Sequence, residues 1–567
     1  MNSEVKTCQH CKREFTVDGE DFNYYEKINV PAPTWCPECR IVRRISCVNG
    51  WSLFWRNCDK CGKKTMSMYS PDSKLTVYCQ PCWWGDSWDG AEFAMEYDKS
   101  RPFLEQLREL SLKTPHSALE TEYLTLKNCD YSNAIAYSKD CYQVSWADYC
   151  ENVFYSSIIN GLKNSLDCLR GWESELCYDS IGFIRNYRTF FSDECEDCID
   201  VWFSRNCYGC TNCVGCVNLR GASNCIFNVK YSKEDYQVKI KELHLDSWKG
   251  LRELEGKAHE FWLTQPYREY HGHSLNLNVT GDYVFQSKNS KEGYILNYAE
   301  NSKYCQFTTV PGVKDCMDYS GWGNNVELVY ESTNVGAGAS NVKFSGFCFP
   351  DVSNIEYSWW CINGKNNFGC VNLKRKNYSI LNKEYSKEEY EKLKKEIIED
   401  MKNNPYVDGE GIAWTYGEFF KPGFSKFAYN KSNAIRFFPK DKEQVLNEGY
   451  AWDDTESSNP SPSINSSQLP DTLEETSDAV LDEIIECGEC KRSYRVVKGE
   501  LLLLRKMGLP VPHECPKCRE SGRFNRMTKP GMHHRNCAKC EASIYTPYAP
   551  ERPEIVYCVK CYQGEFA

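Results

Sequence analysis

The chain has 567 residues, which is long enough for several domains, and a net charge of −11. Its 34 cysteines are several times the usual share, which fits either disulfides or metal sites. We expect no secretory signal and no membrane span, because the first residues lack an apolar segment and no run of about 18 apolar residues occurs. The cysteines at both ends come in CxxC pairs, whose short loop suits a metal ion better than a disulfide. We therefore predict a cytoplasmic protein with metal-held modules.

Each terminal module contains four CxxC pairs. The second set repeats the first at a constant offset of 479 without an insertion, which indicates an internal duplication. Two CxxC knuckles supply the four thiolates of a closed, structural zinc site, so we expect two zinc ions per module and about four in all. Sequential pairing of the knuckles is the simplest arrangement, and a cross-braced pairing stays open. The predicted metal ligands are Cys8, Cys11, Cys36, Cys39, Cys58, Cys61, Cys79, Cys82, Cys487, Cys490, Cys515, Cys518, Cys537, Cys540, Cys558 and Cys561.

The stretches from CQHCKREF to WCPECR and from CGECKRSY to ECPKCR resemble the probable zinc-ribbon domain family of bacterial proteins. The whole chain also resembles a cysteine-rich family of candidate-phyla bacteria, in which such modules flank a cysteine-rich middle. These resemblances imply architecture and metal, but no reaction. In treble-clef folds the second knuckle opens a helix, so the resemblance implies two basic helices, one with Arg40, Arg43 and Arg44 and the other with Arg519, Arg523 and Arg526.

The C-terminal module is basic, with fifteen Lys/Arg against eight Asp/Glu in residues 487–567. Zinc ribbons often place such a helix on phosphates, where binding is salt-dependent. The partner predicted from this feature is nucleic acid or protein, with RNA or a ribosome included, and no membrane. A solvated basic face is the alternative. The candidate nucleic-acid contacts are Arg519, Arg523, Arg526, Lys529 and Arg535.

The middle of the chain is a repeat. Twelve cysteines between Cys129 and Cys225 all have numbers divisible by three, and most gaps are 9 or 18. Nine residues make a strand of about five plus a turn, so two nines would close a coil of about 18 residues. This pattern predicts a parallel β-solenoid. A second stretch keeps the frame with fewer cysteines, and both stretches end in a capping-box-like pattern, at Ser232 and Ser386, that predicts helices closing the solenoid ends.

The predicted fold class is therefore a multidomain, mainly β protein with terminal double zinc-ribbon or treble-clef modules around a duplicated solenoid. Segment 451–486 has ten acidic residues and no basic one, which predicts a disordered linker. The predicted domains are the N-terminal module (1–90), a helical connector (91–117), the first solenoid block (118–231), a helical cap (232–265), the second block (266–385), a helix (386–402), an irregular segment (403–450), the linker (451–486) and the C-terminal module (487–567).

The run NCYGCTNCVGC at 206–216 has three interpretations. It can ligate an iron–sulfur cluster, although the last gap is short and the usual proline is absent. It can share a structural zinc, for which Cys195, Cys198, Cys207 and Cys210 are the ligand set. We favour a ladder of buried free cysteines, since free Cys behaves as a small hydrophobe. The second stretch has Gly364 and Asn367 opposite the two middle cysteines and cannot build the same site.

No catalytic constellation is recognisable, so we predict no catalytic and no cofactor-binding residues. His271 and His273 can bind a metal, but two ligands do not make a site and a surface turn is the simpler interpretation. We expect a non-enzymatic zinc-binding scaffold or interaction protein. The alternative is an enzyme, either an iron–sulfur redox protein that uses Cys195–Cys216 or a carbohydrate-active β-solenoid.

Overall fold

The structure, a computed structural model, describes residues 2–272, 275–455 and 459–566. The N-terminal module (residues 2–90) contains two similar units, each with a β-hairpin and a helix that begins directly after a cysteine. Cys36 precedes α2 and Cys79 precedes α3, and each helix has a proline in its first turn, where the missing N–H is least needed. The elements are β1 (Glu4–Thr7), β2 (Glu14–Val17), α1 (Gly19–Lys27), α2 (Pro37–Ile45), β3 (Phe54–Asn57), β4 (Lys64–Ser67), β5 (Val77–Tyr78) and α3 (Gln80–Trp84).

A helical connector leads to the first block of a parallel β-solenoid, which confirms the predicted solenoid. In this block Asn128 Nδ2 donates to Asp140, 12 residues later and one coil further on. Strand pairing has the same period, since Cys129 pairs with Cys141 and Cys213 with Cys225. The predicted coil made of two nines is therefore wrong. The connector has α4 (Phe103–Lys113) and β6 (His116–Ser117), and the block has β7 (Lys127–Asp130), β8 (Asn133–Ala136), β9 (Lys139–Tyr142), β10 (Ser145–Asp148), β11 (Glu151–Phe154), β12 (Ser157–Asn160), β13 (Lys163–Leu166), β14 (Leu169–Trp172), β15 (Ile181–Ile184), β16 (Tyr187–Phe190), β17 (Ile199–Trp202), β18 (Thr211–Val214), β19 (Ser223–Ile226) and β20 (Val229–Lys230).

The coil length follows from a backbone that repeats every three residues. Tyr131 and Ala134 both have a φ of 53°, and this left-handed corner recurs at almost every third position of the block. The residue after each corner points into the solenoid, as the buried Ser132 and Ile135 do. Four sides of three residues make one coil. This frame explains why all the cysteine numbers in the block are divisible by three.

The nine-residue gap between cysteines reflects a contact rather than a half-coil. Cys168 Sγ donates to Cys177 O at 3.5 Å, and Cys198 Sγ donates to Cys207 O at 3.3 Å. Inward serines act similarly, since Ser156 Oγ accepts from Cys168 N, 12 residues later, at 2.9 Å. Small polar side chains thus satisfy backbone groups inside a core that no water needs to enter.

Two helices follow the first block where the sequence predicts them. Ser232 and Ser247 are their N-caps and accept hydrogen bonds from Asp235 N and Gly250 N at 3.0 and 3.1 Å. Trp262 donates from Nε1 to a carbonyl of the solenoid at 3.0 Å. The elements are α5 (Lys233–Lys241), α6 (Trp248–Leu263) and β21 (Tyr267–Arg268).

The second solenoid block has longer and less uniform coils. Asn341 Nδ2 donates to Asn354, 13 residues later, and Ser320 Oγ donates to Gln306, 14 residues earlier. Strand pairing follows the same steps. Each extra residue shifts the three-residue frame, so the residue numbers of the cysteines in this block are no longer all divisible by three. The strands are β22 (Gly281–Phe285), β23 (Gly293–Asn297), β24 (Ala299–Glu300), β25 (Gln306–Thr308), β26 (Val313–Lys314), β27 (Met317–Ser320), β28 (Val326–Thr333), β29 (Ser340–Lys343), β30 (Ser353–Glu356), β31 (Lys365–Phe368), β32 (Asn377–Ile380) and β33 (Lys383–Glu384).

A long helix and a largely irregular segment lie beyond the second block. Ser386 caps the helix by accepting from Glu389 N at 3.3 Å. The irregular segment buries large side chains, among them Trp414 and Phe419, against the N-terminal module and the second block. The elements are α7 (Lys387–Asn403), β34 (Tyr406–Val407), β35 (Ala413–Trp414), α8 (Ala434–Phe437) and α9 (Lys442–Asn447).

The acidic segment is packed in its described part, so the predicted disordered linker is wrong there. Leu469, Val480 and Ile485 are buried in one cluster with α6 and the C-terminal module. Asp471 accepts hydrogen bonds from Ser247 Oγ at 2.7 Å and Lys249 N at 3.0 Å, at the start of α6. The few apolar residues, spaced among the acids, were enough to anchor it. Its strands are β36 (Ile464–Asn465) and β37 (Ile485–Glu486).

The C-terminal module (residues 487–566) repeats the N-terminal one. The strand β41 pairs in parallel with β21 as β5 pairs with β6. The paired Val556 and Val77 are equivalent positions of the duplication. Among the described residues, no helix combines the length and the apolar composition needed to cross a membrane. The elements are β38 (Ser493–Tyr494), α10 (Lys498–Met507), α11 (Pro516–Arg526), β39 (His533–Asn536), β40 (Ser543–Thr546), β41 (Val556–Tyr557) and α12 (Val559–Phe566).

We predict that Gly171→Ala destabilises the first block. Gly171 is an inward residue, and a Cβ there would lie 2.4 Å from the ring of Phe183 on the next coil. Overpacking of this kind costs about 1–3 kcal/mol in the free energy of unfolding, measurable by urea denaturation of metal-loaded protein. The control is Gly522→Ala in α11, where the added Cβ meets nothing within 4 Å. Because Ala favours helix more than Gly, this change should raise the free energy of unfolding or leave it unchanged. Equal effects of both changes would contradict the three-residue frame.

Candidate metal centres

The sixteen terminal cysteines form four groups of four. In each group the four Sγ atoms all lie within 4.8 Å of one another. The first group is Cys8, Cys11, Cys36 and Cys39, so neighbouring knuckles share a site and the sequential pairing is the one found. The other groups are Cys58/Cys61/Cys79/Cys82, Cys487/Cys490/Cys515/Cys518 and Cys537/Cys540/Cys558/Cys561.

One backbone contact recurs unchanged in all four groups. In the first, the N–H of Cys36, at the start of α2, donates to Cys8 Sγ at 3.2 Å. An N–H donor favours the thiolate form of the acceptor sulfur. The equivalent bonds, Cys79 N to Cys58 Sγ, Cys515 N to Cys487 Sγ and Cys558 N to Cys537 Sγ, are also 3.2 Å long.

The pKa values of the accepting sulfurs reflect this contact. Burial raises the pKa of Cys58 and Cys537, but backbone N–H donors outweigh it and lower the two pKa values to about 7 and about 6. Four thiolate donors suit a tetrahedral ion and leave no open position for a substrate. The groups can therefore hold metal ions that stabilise the fold, and their donor set offers no catalytic site.

The first site has two extra neighbours that sequence analysis missed. His10 Nδ1 lies 3.4 Å from Cys39 Sγ, with the ring stacked on Trp35, and Arg13 Nε donates to Cys11 Sγ at 3.4 Å. Hydrogen bonds of this kind orient ligand sulfurs. The signal for His10 was its place inside the knuckle CQHC, but the duplicate has Glu489 there, and so the comparison of the two modules hid it.

The central cysteines lie in the solenoid core, as the ladder interpretation predicts. Cys195, Cys198, Cys207 and Cys210 are all fully buried. Among the described residues, they belong to no group in which three or more ligand atoms lie within 4.8 Å of one another. Contact with other thiols and burial raise the pKa of Cys195 well above its usual value. Contacts with Cys198, Cys207 and Cys213 lower the pKa of Cys210 instead, so the thiols of this row are not all shifted in the same direction. Their Sγ atoms contact backbone carbonyls, as those of Cys198 and Cys210 do, and the predicted metal site there gains no support.

The basic residues proposed for nucleic acid face the protein itself. Arg519 Nε lies 2.8 Å from Asp167 Oδ2, and Arg523 Nη1 lies 2.9 Å from Asp167 Oδ1. Arg526 pairs with Asp179 at 3.3 Å. The remaining two donate to backbone carbonyls: Lys529 Nζ to Phe524 O and Arg436 O, and Arg535 to Ala549 O and Glu554 O. The predicted basic contact face is therefore turned towards the solenoid and the module's own loops.

The N-terminal module makes the matching contact with the other block. Arg40 and Arg44, which the duplication makes the counterparts of Arg519 and Arg523, lie 2.9 and 3.1 Å from the carboxylate of Asp318. Arg43 adds a contact of 3.0 Å to Glu331. All of these side chains are at most 1 % exposed. Each module thus docks a helix that begins at a cysteine of a four-cysteine group onto a solenoid block.

The docking carboxylates occupy corner positions on consecutive coils. Asp167 and Asp179 are one coil apart with φ values of 55° and 44°, and Asp318 and Glu331 are one coil apart with φ values of 52° and 43°. Burial raises the pKa of Asp167 even with two arginines beside it. The ion pairs therefore cost desolvation and contribute more to where a module docks than to net stability. These acids are 12 or 13 residues apart in the sequence, so a nine-residue repeat does not reveal that they lie on consecutive coils.

His271 lies in a bend, as the surface-turn interpretation predicts, but it is partly buried and belongs to a hydrogen-bonded network. Its Nδ1 lies 2.8 Å from Asp282 Oδ1, and its Nε2 lies 3.1 Å from Tyr548 Oη. The contact joins the second block to the C-terminal module. His273 lies outside the described residues.

We predict that Asp167→Asn destabilises the metal-loaded protein by about 3–5 kcal/mol, since it leaves two buried guanidinium groups short of a carboxylate. Thermal and urea unfolding measure the loss. Glu396→Gln is the matched control, because it removes the solvent-exposed pair with Lys99 and should leave the free energy of unfolding nearly unchanged. A change at Asp167 as small as that of the control would show that the docking contact is not formed.

Comparison of this chain with protein-family models, with curated proteins and with solved structures gives no match in any of the three.

Proposed function

We propose that the four cysteine groups bind zinc and that the terminal modules are zinc ribbons of the treble-clef type. The observation that carries this proposal is the set of four mutually close sulfurs in each group, with one N–H donor at 3.2 Å. Structural zinc is usually bound by four ligands in a tetrahedron, and thiolates are among its preferred ligands. The resemblance of the knuckles to bacterial zinc-ribbon domains points the same way.

The protein is then a zinc-held scaffold that acts by binding a partner. Zinc positions α2 and α11, their arginines dock on the solenoid, and the helices α5 and α7 close the ends of the two blocks. A chain with this many free thiols suits a reducing compartment, so we place it in the cytoplasm. The closed ligand sets and the paired arginines favour structure and binding over a reaction.

The partner of this scaffold is a protein rather than nucleic acid. Phosphate contacts require Lys and Arg side chains that are free to replace counterions. Arg519, Arg523 and Arg526 are instead paired with carboxylates of the first block, and the chain as a whole carries a net charge of −11.

The two enzymatic alternatives lack a favouring observation among the described residues. An iron–sulfur cluster needs several ligand sulfurs gathered around it, and among the described residues the cysteines from Cys195 to Cys216 belong to no group of three or more ligand atoms within 4.8 Å of one another. A carbohydrate-active solenoid needs a pair of free carboxyl groups about 5–10 Å apart. The solenoid acids Asp167, Asp318 and Glu331 are occupied by arginines.

We predict four zinc ions and no iron per chain, measured by elemental mass spectrometry on protein purified under reducing conditions. Cys537→Ser removes one ligand of the fourth group and should lower the content to three. Cys210→Ser is the matched control and should leave four, since this buried thiol belongs to no such group among the described residues. Iron with acid-labile sulfide, lost in the Cys210 variant, would establish the redox alternative.

We also predict weak RNA binding that depends little on salt. A protein with six to ten phosphate contacts loses affinity by at least about 10³-fold between about 50 and 200 mM salt. The affinity of this chain for a single-stranded RNA probe should fall far less over the same range. Fluorescence anisotropy of the full chain measures it. Lys539 and Lys560 are exposed lysines of the C-terminal module. A steep salt dependence that Lys539→Gln or Lys560→Gln reduces would contradict the assignment of a protein partner.

A further inference from the structure

A cavity of about 210 Å³ lies between α4, residues 420–426 and the second solenoid block. Its walls are largely apolar, with Leu107, Trp359, Phe420 and Phe424 among them. A dry cavity of about 150 Å³ holds one benzene ring, so this one accommodates a ring with a substituent. The cavity is separate from the four metal groups.

One partly buried primary amine lines this cavity, that of Lys426. Its Nζ lies 3.4 Å from His116 Nδ1 and 5.0 Å from the centre of the Trp359 ring. Burial lowers its pKa to about 7, and the Cys47 thiol opposes this effect. Within the described part of the chain no carboxylate pairs with this amine, and an ammonium removed from water without such a partner is costly, so the neutral amine is readily formed.

His116 orients this amine. Its Nε2 lies 2.7 Å from Ser111 O, and since a carbonyl only accepts, Nε2 carries the proton. Nδ1 is therefore the acceptor that faces Asn372 Nδ2 at 3.1 Å and Lys426 Nζ. Burial, and then the charge of Lys426, hold the pKa of His116 well below its usual value, so the ring stays neutral.

The other polar groups of the cavity complete its chemistry. Burial raises the pKa of Cys47 to about 11, which keeps its thiol protonated and unreactive. Arg108 and Lys74 are exposed residues of the lining, and so place positive charge at the open side. Cys47 stands where the duplicate module has Arg526, so a short thiol here replaces a long guanidinium.

We propose that Lys426 captures a small aromatic aldehyde or ketone with an acidic substituent as an imine in this cavity. The Nζ lone pair attacks the carbonyl carbon, the carbinolamine forms, and loss of one water leaves the C=N bond. The step needs no oxidant or reductant. The ring packs against Trp359 and Phe420, and the acidic group lies towards Arg108.

The test uses the full, metal-loaded chain with 4-carboxybenzaldehyde and sodium cyanoborohydride, which reduces the imine to a stable amine. Peptide mapping by mass spectrometry locates the adduct. At about pH 7 an exposed lysine is about 10⁻³ neutral, so Lys426 should carry at least tenfold more adduct than Lys74. The other titratable or charged residues of the cavity lining are Cys47, Lys74, Arg108 and Tyr357, and His116 contacts Lys426 from behind; among these only Lys74 is a competing amine. At about pH 10 the preference should shrink, because Lys74 then loses its proton as well.

Two variants make the result decisive. Lys426→Arg keeps the positive charge and removes the primary amine, so the selective adduct should vanish while metal content stays unchanged. Arg108→Gln should lower the yield severalfold with 4-carboxybenzaldehyde and leave the yield with benzaldehyde unchanged. Equal modification of Lys74 and Lys426 at about pH 7 in the unaltered protein would overturn the proposal. An adduct yield insensitive to Arg108 would overturn the acidic class of ligand.

Discussion

The contact between buried arginines of the modules and carboxylates of the solenoid sets the arrangement of the whole molecule. Asp167 holds Arg519 and Arg523, and Asp318 holds Arg40 and Arg44, in the same way on the other block. Through these ion pairs the N-terminal module docks on the second block and the C-terminal module on the first, and further hydrogen bonds join each module to the other block as well. The chain therefore closes on itself, and neither module is a free end.

This contact depends on two local features that are far apart in the chain. The arginines project from helices that begin at a cysteine of one of the four groups, so a metal ion bound there would fix the direction of the helix and the spacing of its guanidinium groups. The carboxylates sit at left-handed corners, where short side chains such as Asp can adopt a positive φ. Because the corner recurs once per coil side, two acids one coil apart lie one above the other. The regular coil thus brings two acids that are one coil apart in the sequence next to each other, where both can contact an arginine.

The sequence predicts the features that are encoded locally or by repetition. The sixteen terminal cysteines, the capping serines Ser232 and Ser386, and the parallel solenoid follow from spacing and local pattern. The helices after Cys36 and Cys515 were implied by the resemblance to zinc-ribbon domains. The coil length did not follow, because a gap of nine is the spacing of a thiol-to-carbonyl contact and not of a structural unit. The docking carboxylates on consecutive coils and the cavity lined by Lys426 could not be predicted from the sequence, for a different reason. Their partners are hundreds of positions apart, as Arg523 and Asp167 are, and no spacing links them.

The duplication shows where the two halves have diverged in chemistry. Arg40 and Arg519 keep the docking role, but position 47 has a cysteine where position 526 has an arginine. Arg526 reaches the carboxylates of Asp179 and Asp193 at 3.3 and 3.4 Å. The short thiol of Cys47 reaches no such partner among the described residues and instead lines the cavity that contains Lys426. Arg526 forms an ion pair at this position in one half, whereas in the other half the equivalent Cys47 lines a largely apolar cavity. The amine of that cavity, Lys426, pairs with no carboxylate among the described residues, and that difference separates a docking surface from the binding site that we propose.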